Sequence, residues 1–385
     1  MKMIPYSRQT IEQDDIDAVV NVLRSDFLTQ GPKIEEFENS IKNYCQSSYA
    51  VAVSNGTAAL HLALLALSIG KDDIVWTSPI SFVASSNCVL YCGARVGFVD
   101  CDPVTGNIDV AKLEVRLAQC SKLGMLPKLL IVVHYTGRVS DIEKINNLSK
   151  KYGFLILEDA AHALGANYRD GSKVGNCQYS DFTMFSFHPV KSITTGEGGV
   201  LTTNNNDLAQ KIKILRSHGI SRDKNFMKDL NQGRWYYEQQ LLGYNYRLTD
   251  IQAALGISQM TKLDNFIKLR RDLADRYQDL LSKLPLKLPL SDNNSAWHLY
   301  VLQVDSKKIS KREVFDHMVA SGIGVNVHYI PIHTQPYYLE IGFKIGDFPV
   351  SESFYNDSIS IPLFPTLSFE QQDYVVKKLK EVLVE

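Results

Sequence analysis

Short apolar runs alternate with helical patterns between about residues 49 and 203. The runs are rich in β-branched and aromatic residues and are bounded by Gly, Pro or polar turns, which predicts strands at YAVAVS, DIVWTS, ARVGFVD, KLLIVVH, FLILED and FTMFSF. Between them, TAALHLALLALSIG and DIEKINNLSKKYG predict helices with Gly70 and Gly153 as C-caps. This alternation predicts a mostly parallel α/β sheet with helices on both faces, and ligands in such sheets bind beyond the carboxyl ends of the strands.

The pattern changes after about residue 260. A charged helical stretch, KLDNFIKLRRDLADRYQDLLSKL, leads into LPLKLPL, whose prolines predict a linker. HLYVLQV, KREVFDHMVASG and IGVNVHYIP then predict a strand, a helix and a strand. We therefore expect a large α/β domain with an N-terminal arm over residues 1–260 and a smaller α+β domain over residues 261–385, a division that suits a chain of this length.

One long segment, roughly residues 220–243, is polar and aromatic without a clear period. A loop of that length within a compact enzyme predicts a functional or intersubunit element.

The composition, 45% hydrophobic and 22% charged, is typical of a soluble enzyme and excludes a disordered, fibrous or membrane protein. A formal net charge of -1 gives no broad attraction to nucleic acid or to membrane surfaces, so neither is an expected partner. The start MKMIPYSRQTIEQDD lacks the apolar stretch of a signal peptide, and no run approaches the ~18 apolar residues of a membrane span, so we expect a cytoplasmic protein. The six cysteines lack metal-site spacing, which predicts free thiols and no metal site.

A candidate phosphate site follows the first predicted strand. Ser54-Asn55-Gly56-Thr57 opens an Ala/Leu-rich helix. Backbone N-H groups at a helix start, the Thr57 hydroxyl and the close approach that Gly56 permits would suit a phosphate. A plain N-cap produces the same pattern, so both interpretations stay open.

A carboxylate stands at the end of a buried strand, where FLILE runs into Asp159-Ala160-Ala161-His162. A buried charge is costly unless it meets a cation, so Asp159 requires a partner. A protonated pyridine nitrogen would serve, because the acid would keep the ring cationic and electron-accepting. A helix N-cap, a metal shared with His162 and a structural salt bridge are the alternatives.

A third candidate segment reads FSFHPVKSITTGEGG. A strand ends in Ser186, and a Pro-containing turn places Lys191 a few residues beyond it. Near a phosphate and apolar walls, an amine with a lowered pKa becomes a nucleophile and proton carrier. An ordinary surface lysine is the alternative. The conjunction in chain order favours a cofactor site: a phosphate seat, Phe82 as an aromatic that could stack on a ring, a strand-end acid, and Ser before Lys.

SNGTAALHLAL, SPISFVASSN, LEDAAHALGA, FSFHPVKSITTGEGGV and YNYRLTDIQAALGISQ together resemble the sugar aminotransferases of the fold-type I family that depends on pyridoxal 5'-phosphate (PLP). The resemblance spans essentially the whole chain. LRSHGISRD, WYYEQQLLGYNYRLTDIQAALG and SAWHLYVLQ are most similar to members acting in pseudaminic acid biosynthesis. It implies transfer of an amino group from L-glutamate to C4 of UDP-2-acetamido-2,6-dideoxy-β-L-arabino-hex-4-ulose, a UDP-linked 4-keto-6-deoxy-N-acetylhexosamine. The product would be UDP-4-amino-4,6-dideoxy-N-acetyl-β-L-altrosamine.

The resemblance also implies roles for individual residues. Lys191 matches the Schiff-base lysine and Asp159 the partner of the pyridinium nitrogen, and both would be catalytic. Further cofactor contacts would be Gly56, Thr57, Phe82, His162, Ser186 and Asn245, the last reaching the phosphate from the neighbouring subunit of a homodimer. Substrate contacts would come from Tyr6, Asp26, Phe27, Leu28, Thr29, His328, Tyr329, Ile330 and Pro331.

Several related functions stay open on the sequence. The first is C4 amination of the D-configured UDP-4-keto sugar of bacillosamine-type or legionaminic acid-type pathways. A PLP-dependent sugar dehydratase is another, although such enzymes carry histidine at the lysine position and Lys191 argues against it. A regulatory protein that keeps the fold without turnover is the third. The role of His188 is not assigned.

Overall fold

The structure is a computed structural model that describes residues 3–229 and 232–384. Its strands are β1 Tyr49–Val53, β2 Ile74–Thr77, β3 Arg95–Phe98, β4 Leu129–Val133, β5 Leu155–Asp159, β6 Phe182–Ser186, β7 Gly199–Thr203, β8 Ile220–Ser221, β9 Glu238–Gln239, β10 Leu286–Lys287, β11 Tyr300–Val304 and β12 Ser358–Ile361. Its α-helices are α1 Gln13–Leu23, α2 Pro32–Cys45, α3 Gly56–Ala66, α4 Ala84–Tyr91, α5 Val110–Lys122, α6 Ile142–Tyr152, α7 Asn206–Leu215, α8 Asp250–Met260, α9 Leu263–Leu281, α10 Lys311–Ala320, α11 Pro336–Glu340, α12 Pro349–Asp357 and α13 Phe369–Val384.

The largest sheet is seven-stranded, in the order β1-β7-β6-β5-β4-β2-β3. β3, β2, β4, β5 and β6 run parallel, whereas β7 is antiparallel to both of its neighbours. Successive residues of β4 point to opposite faces: Leu130 and Val132 join one hydrophobic cluster, and Leu129 and Ile131 join another. Because both faces are buried, helices must cover both, and the predicted mostly parallel α/β sheet is confirmed.

The predicted helix ends have different outcomes. Gly153 is the left-handed C-cap of α6, with φ of 79°, as expected. The prediction for Gly70 is wrong, because α3 ends earlier at the C-cap Leu67 and Ser68 takes the left-handed conformation. The N-H of Gly70 instead donates to Asp73 Oδ2 at 2.8 Å in the following turn. The helix therefore ends before the chain reaches this glycine.

The C-terminal part contains an antiparallel sheet in the order β10-β11-β12. Two predictions are wrong here. LPLKLPL contains β10 and is not only a linker, and IGVNVHYIP forms isolated bridges from Ile323 to Ile4 and from Asn326 to Ser360 rather than a strand. The place beside β11 is taken by β12, and the predicted segment pairs with the other edge of β12 only at Asn326. Division of the chain into domains near residue 260 stays a prediction.

The predicted loop of residues 220–243 contains the paired strands β8 and β9, while residues 230 and 231 of that loop lie outside the described residues. All six cysteines are free, namely Cys45, Cys88, Cys92, Cys101, Cys120 and Cys177. Over residues 3–229 and 232–384, no helix combines the length and the apolar character that crossing a membrane requires.

Candidate active site

A cavity of about 880 Å³ lies where the parallel strands of the large sheet end. Val133, Asp159 and Ser186 line it, and they are the last residues of β4, β5 and β6. Gly56, the first residue of α3, lines it as well. The cavity thus combines strand ends and a helix start, the arrangement expected of a ligand site in a parallel sheet.

The start of α3 offers a seat for an anion. Asn55 caps the helix by accepting a hydrogen bond from the Ala58 N-H at 2.8 Å. The first N-H groups of a helix have no partner within it, and the helix dipole favours negative charge there. A Cβ on Gly56 would stand 3.0 Å from Ser186 Cβ, so glycine lets α3 approach the end of β6 without crowding this side chain. Capping and anion binding are therefore compatible in this segment.

Asp159 is buried at the end of β5. Its Oδ2 accepts a hydrogen bond from Ser85 Oγ at 2.6 Å, and its Oδ1 accepts one from the Ala161 N-H at 3.2 Å. Burial raises the pKa of this carboxyl, while the hydrogen bond from Ser85, that from Ala161 and the charge of Lys191 act in the opposite direction. In the part of the chain that the structure describes, no cluster of His, Cys, Asp or Glu is arranged to hold a metal ion.

Lys191 lines the same cavity, just beyond a turn in which its N-H donates to the His188 carbonyl at 2.9 Å. Burial lowers the pKa of its amine to about 8, although the Asp159 carboxylate raises it. A substantial fraction of this amine is neutral near physiological pH, unlike that of an exposed lysine. The amine therefore has the properties of a nucleophile and a proton carrier.

Three of the histidines that line the cavity have imidazoles whose pKa values are strongly lowered. The rings of His162 and His298 have centroids 4.3 Å apart, and Tyr329 Oη lies 3.1 Å from His162 Nε2. Burial lowers the pKa of His162 and of His298 well below the usual value, and burial with the charge of Lys191 lowers that of His328 to about 3. These imidazoles are neutral at physiological pH and are suited to hydrogen bonding rather than to charge pairing.

Phe82 stands at the mouth of the cavity with 58% of its surface exposed, and its ring centroid is 6.2 Å from that of Tyr329. An exposed aromatic face beside a polar cavity is suited to stacking on a flat ring. The acid, the amine, the anion seat and the aromatic face together fit a phosphorylated pyridine aldehyde.

The structure brings most of the predicted residues into this cavity: Tyr6, Gly56, Thr57, Phe82, Asp159, His162, Ser186, Lys191, His328 and Tyr329. The others do not line it in the same chain, namely Asp26, Phe27, Leu28, Thr29, Asn245, Ile330 and Pro331. Two of them take part in isolated β-bridges instead, Thr29 with Thr249 and Asn245 with Ser217.

Residues 9–380 match the DegT/DnrJ/EryC1/StrS aminotransferase family. The chain belongs to this family. It is therefore a PLP-dependent aminotransferase with the fold of the fold-type I enzymes, which confirms the predicted fold, enzyme class and cofactor.

Relatives in the family match along their whole length. The chain is 38% identical to the UDP-4-amino-4,6-dideoxy-N-acetyl-beta-L-altrosamine transaminase of Campylobacter jejuni, over 99% of this chain and 98% of the relative. It is equally 38% identical to the spore coat polysaccharide biosynthesis protein SpsC of Bacillus subtilis, over 99% and 97%. Among solved structures, Helicobacter pylori PseC, an aminotransferase involved in the biosynthesis of pseudoaminic acid, superposes with a TM-score of 0.89 at 31% identity, over 99% of both chains. The PMP form of Spr1654 from Streptococcus pneumoniae also has a TM-score of 0.89 at 31% identity, over 98% of both chains.

The cavity of this aminotransferase contains further residues that the sequence reasoning missed. They include His61, Ser81, Glu197, Tyr246, His298 and Asn326. His298 lies two residues before β11, and this buried histidine of SAWHLYVLQ is a polar residue at the entrance to an apolar strand. This polar residue beside an apolar strand is the signal that could have marked His298 as a site residue. Ser85 is also missed, because only the packing of α4 against the end of β5 brings it to Asp159.

Proposed function

We propose that this aminotransferase moves an amino group from L-glutamate to C4 of UDP-2-acetamido-2,6-dideoxy-β-L-arabino-hex-4-ulose, in pseudaminic acid biosynthesis. The observation that carries the proposal is the full-length similarity to the Campylobacter jejuni enzyme, which is named for the aminated product of that reaction. The fold shared with Helicobacter pylori PseC over 99% of both chains supports the same assignment.

The described residues suggest how the cofactor would be held. Lys191 would carry PLP covalently, and Asp159 would face its ring nitrogen. Gly56, Thr57 and Ser186 would bind the phosphate, which the close approach of α3 to the end of β6 supports. Phe82 would stack on the ring and His162 would lie at its edge.

When bound, PLP supplies an electron sink that stabilises the carbanion formed at the amino acid's α-carbon. Once the amino group of glutamate has displaced Lys191 from the cofactor, the freed Nζ would remove the α-proton of glutamate, and after 2-oxoglutarate has left it would deliver a proton to C4 of the acceptor sugar. Its lowered pKa supports both directions, because an amine that titrates near the working pH both accepts and donates a proton readily. An ionised Asp159 would favour a protonated ring nitrogen.

The acceptor sugar would bind between Tyr6, His328 and Tyr329. The rings of Tyr6 and His328 have centroids 5.5 Å apart, and those of His328 and Tyr329 are 4.9 Å apart. His328 Nδ1 is 2.8 Å from Ser360 Oγ, which restrains the imidazole. Neutral imidazole and phenol groups would form hydrogen bonds with the sugar hydroxyls and would not pair as ions with the diphosphate.

We further propose a homodimer with shared active sites. Among the described residues that line the cavity, Lys191 is the lone Lys or Arg, whereas the cofactor phosphate, the UDP diphosphate and glutamate are all anionic. The remaining polar contacts would come from a second copy of the chain, through Asn245 and the segment Asp26–Thr29. These residues, with Ile330 and Pro331, are implied by the family resemblance and lie outside their own chain's cavity.

Mixed dimers would test the shared site. Lys191→Ala and Asn245→Ala subunits, each inactive alone, are denatured together and refolded. If each site takes Lys191 from one chain and Asn245 from the other, a mixed dimer contains one intact site and regains activity. Activity that stays absent in refolded mixed dimers, while refolded wild type recovers, would refute the arrangement.

The substrate is tested by incubating the purified chain with L-glutamate and each candidate 4-keto sugar nucleotide, followed by NMR of the product. The expected product is the L-altrosamine derivative. Preferential amination of the D-configured epimer would instead support the bacillosamine-type or legionaminic acid-type function. A third arm uses the UDP-4-keto pentose, because the chain is 35% identical to the UDP-4-amino-4-deoxy-L-arabinose--oxoglutarate aminotransferase of Shewanella sediminis.

Lys191→Ala tests the assignment of the amine. We expect turnover to fall by at least about 10²–10⁴-fold, the usual contribution of a proton-transfer group. Lys308→Ala, at an exposed position remote from the cavity, is the control. A Lys191→Ala variant with normal turnover would refute the mechanism. Loss of water from the sugar without amination would favour a dehydratase, and PLP binding without turnover in the wild type would favour a regulatory protein.

A further inference from the structure

Two serines connect the wall of the cavity to Asp159. Ser81 Oγ and Ser85 Oγ are 2.7 Å apart, and Ser85 Oγ is 2.6 Å from Asp159 Oδ2. All three residues are buried, with exposed fractions of 3%, 0% and 6%. Ser81 also lines the cavity, whereas Ser85 belongs to α4 behind it. The hydroxyls therefore form a continuous chain from the cavity wall to the carboxylate.

The ionisation of Asp159 determines the direction of this chain. An ionised carboxylate accepts hydrogen bonds and donates none, so the single O-H of Ser85 must donate its hydrogen bond to Asp159. The oxygen of Ser85 is then free to accept the proton of Ser81. A protonated Asp159 would allow the opposite direction. Hydrogen bonds to a charged acceptor are stronger than neutral ones, and the 2.6 Å contact is within the range of a hydroxyl that donates to a carboxylate.

Few other groups around Asp159 stabilise its charge. Burial raises its pKa, and after Ser85 the opposing contributions come from the Ala161 N-H, Lys191 and His134. Cys88 and Tyr329 also face the carboxylate, and burial raises the pKa of both, which keeps them neutral. Lys191 loses its charge whenever its amine is deprotonated, which happens near pH 8. Ser85 does not titrate, so its contribution is permanent.

We propose that Ser85, supported by Ser81, is a positioning residue that keeps Asp159 ionised and holds its carboxylate in one orientation. The inference rests on the proposed function in one respect, because Asp159 is there the partner of the cofactor's ring nitrogen. Ser85 acts through Asp159 and touches neither cofactor nor sugar. Its removal should therefore change the titration of the carboxyl as well as the rate of reaction.

The test compares three substitutions on α4. Ser85→Ala removes the donor, and Ser85→Thr keeps it. Ser86→Ala is the matched control, because Ser86 is equally buried on the same helix and its hydroxyl lies 2.5 Å from Tyr338 Oη instead. The full-length chain is freed of cofactor and labelled with ¹³C at aspartate carboxyls, and the Asp159 signal is assigned by Asp159→Asn. A second measurement is the equilibrium affinity for PLP at pH 7.

In Ser85→Ala we expect the pKa of Asp159 to rise and the affinity for PLP to fall roughly tenfold, the usual effect of losing one hydrogen bond to a charged group. Ser85→Thr should restore both properties, and Ser86→Ala should leave the Asp159 titration unchanged. The inference is wrong if Ser85→Ala titrates like the wild type or if Ser86→Ala shifts the titration equally.

Ser81→Ala is the second variant, and it keeps the test decisive if Ser85→Ala does not fold. It leaves the Ser85 donor in place, so a smaller upward shift of the Asp159 pKa is expected. No shift would refute the role of Ser81. Because the NMR titration involves neither cofactor nor sugar, its outcome is independent of the proposed substrate, and failure of the amination assay would leave it interpretable.

Discussion

The reactivity of the Lys191 amine depends on the balance between burial and the charge of Asp159. Burial lowers its pKa from 10.5 to about 8, and the Asp159 carboxylate limits that decrease. Asp159→Asn removes the charge and leaves the burial penalty uncompensated. We therefore predict that the pKa of Lys191 falls further in Asp159→Asn, to a value below that of the wild type.

The size of the effect follows from the two pKa values. At pH 7, a pKa of about 8 leaves roughly one amine in ten neutral, whereas an ordinary pKa of 10.5 leaves roughly three in ten thousand. At pH 7 the neutral, reactive fraction of wild-type Lys191 should thus be about 300-fold larger than that of an ordinary lysine. Asp159→Asn can increase the neutral fraction at most about tenfold more, since the amine is then fully neutral.

The assay is acylation of the cofactor-free chain by a limiting amount of a small amine-directed reagent. Mass spectrometry of the Lys191 peptide gives the rate at each pH, with the exposed amine of Lys308 as an internal measure of reagent activity. In the wild type, the rate should reach half its plateau near pH 8, and in Asp159→Asn at lower pH.

Two results would contradict this reasoning. A wild-type midpoint near 10.5 would mean that burial does not disfavour the charged amine. An upward movement of the midpoint in Asp159→Asn would mean that the two groups do not interact as charges of opposite sign. Ser86→Ala, whose hydroxyl contacts Tyr338 rather than Asp159, is a suitable control with an unchanged midpoint.

Two further predictions concern the anion seat and the core beneath it. Gly56→Val should weaken PLP binding at least about tenfold, because a side chain at this position would meet Ser186 at about 3 Å. Gly70→Ala is the control, since an added Cβ there has no atom within 4 Å, and it should bind PLP normally in a fluorescence titration. Glu158→Ala should lower the free energy of unfolding, measured in urea, by roughly 3–5 kcal/mol. The reason is that the buried carboxylate accepts hydrogen bonds from His134 at 2.7 Å and from Tyr168 at 2.9 Å. A loss below about 1 kcal/mol would show that these donors find other partners.

The local patterns of the sequence predict the central elements well. Each apolar run between residues 49 and 187 that is rich in β-branched or aromatic residues contains a strand, from β1 to β6. In a parallel sheet the carboxyl ends of such strands meet at one edge, so the sequence alone predicts that Asp159 and Ser186 lie in one site. The left-handed Gly153 follows from the same local reasoning.

Features that depend on long-range pairing escape such reasoning. β7 is not predicted, and its place between β1 and β6, antiparallel to both, cannot be read from GVLTT because a local pattern does not specify pairing partners. IGVNVHYIP has a strand-like pattern, yet β12 takes the adjacent place beside β11. A pattern of apolar residues indicates that a segment prefers an extended conformation. Which segment pairs with a given strand depends on competition between segments for the edge of the sheet.

The candidate site divides in the same way. The order of motifs along the chain predicts the amine at Lys191, the acid at Asp159 and the anion seat at Gly56, because each prediction depends on residues next to one another in sequence, and all three residues line one cavity. The contact of Ser85 with Asp159 and that of the His298 ring with the His162 ring depend on side chains that are far apart in sequence. Chemical identity is a local property of the chain, whereas the burial that lowers the pKa of Lys191 arises only when distant segments pack together and exclude water.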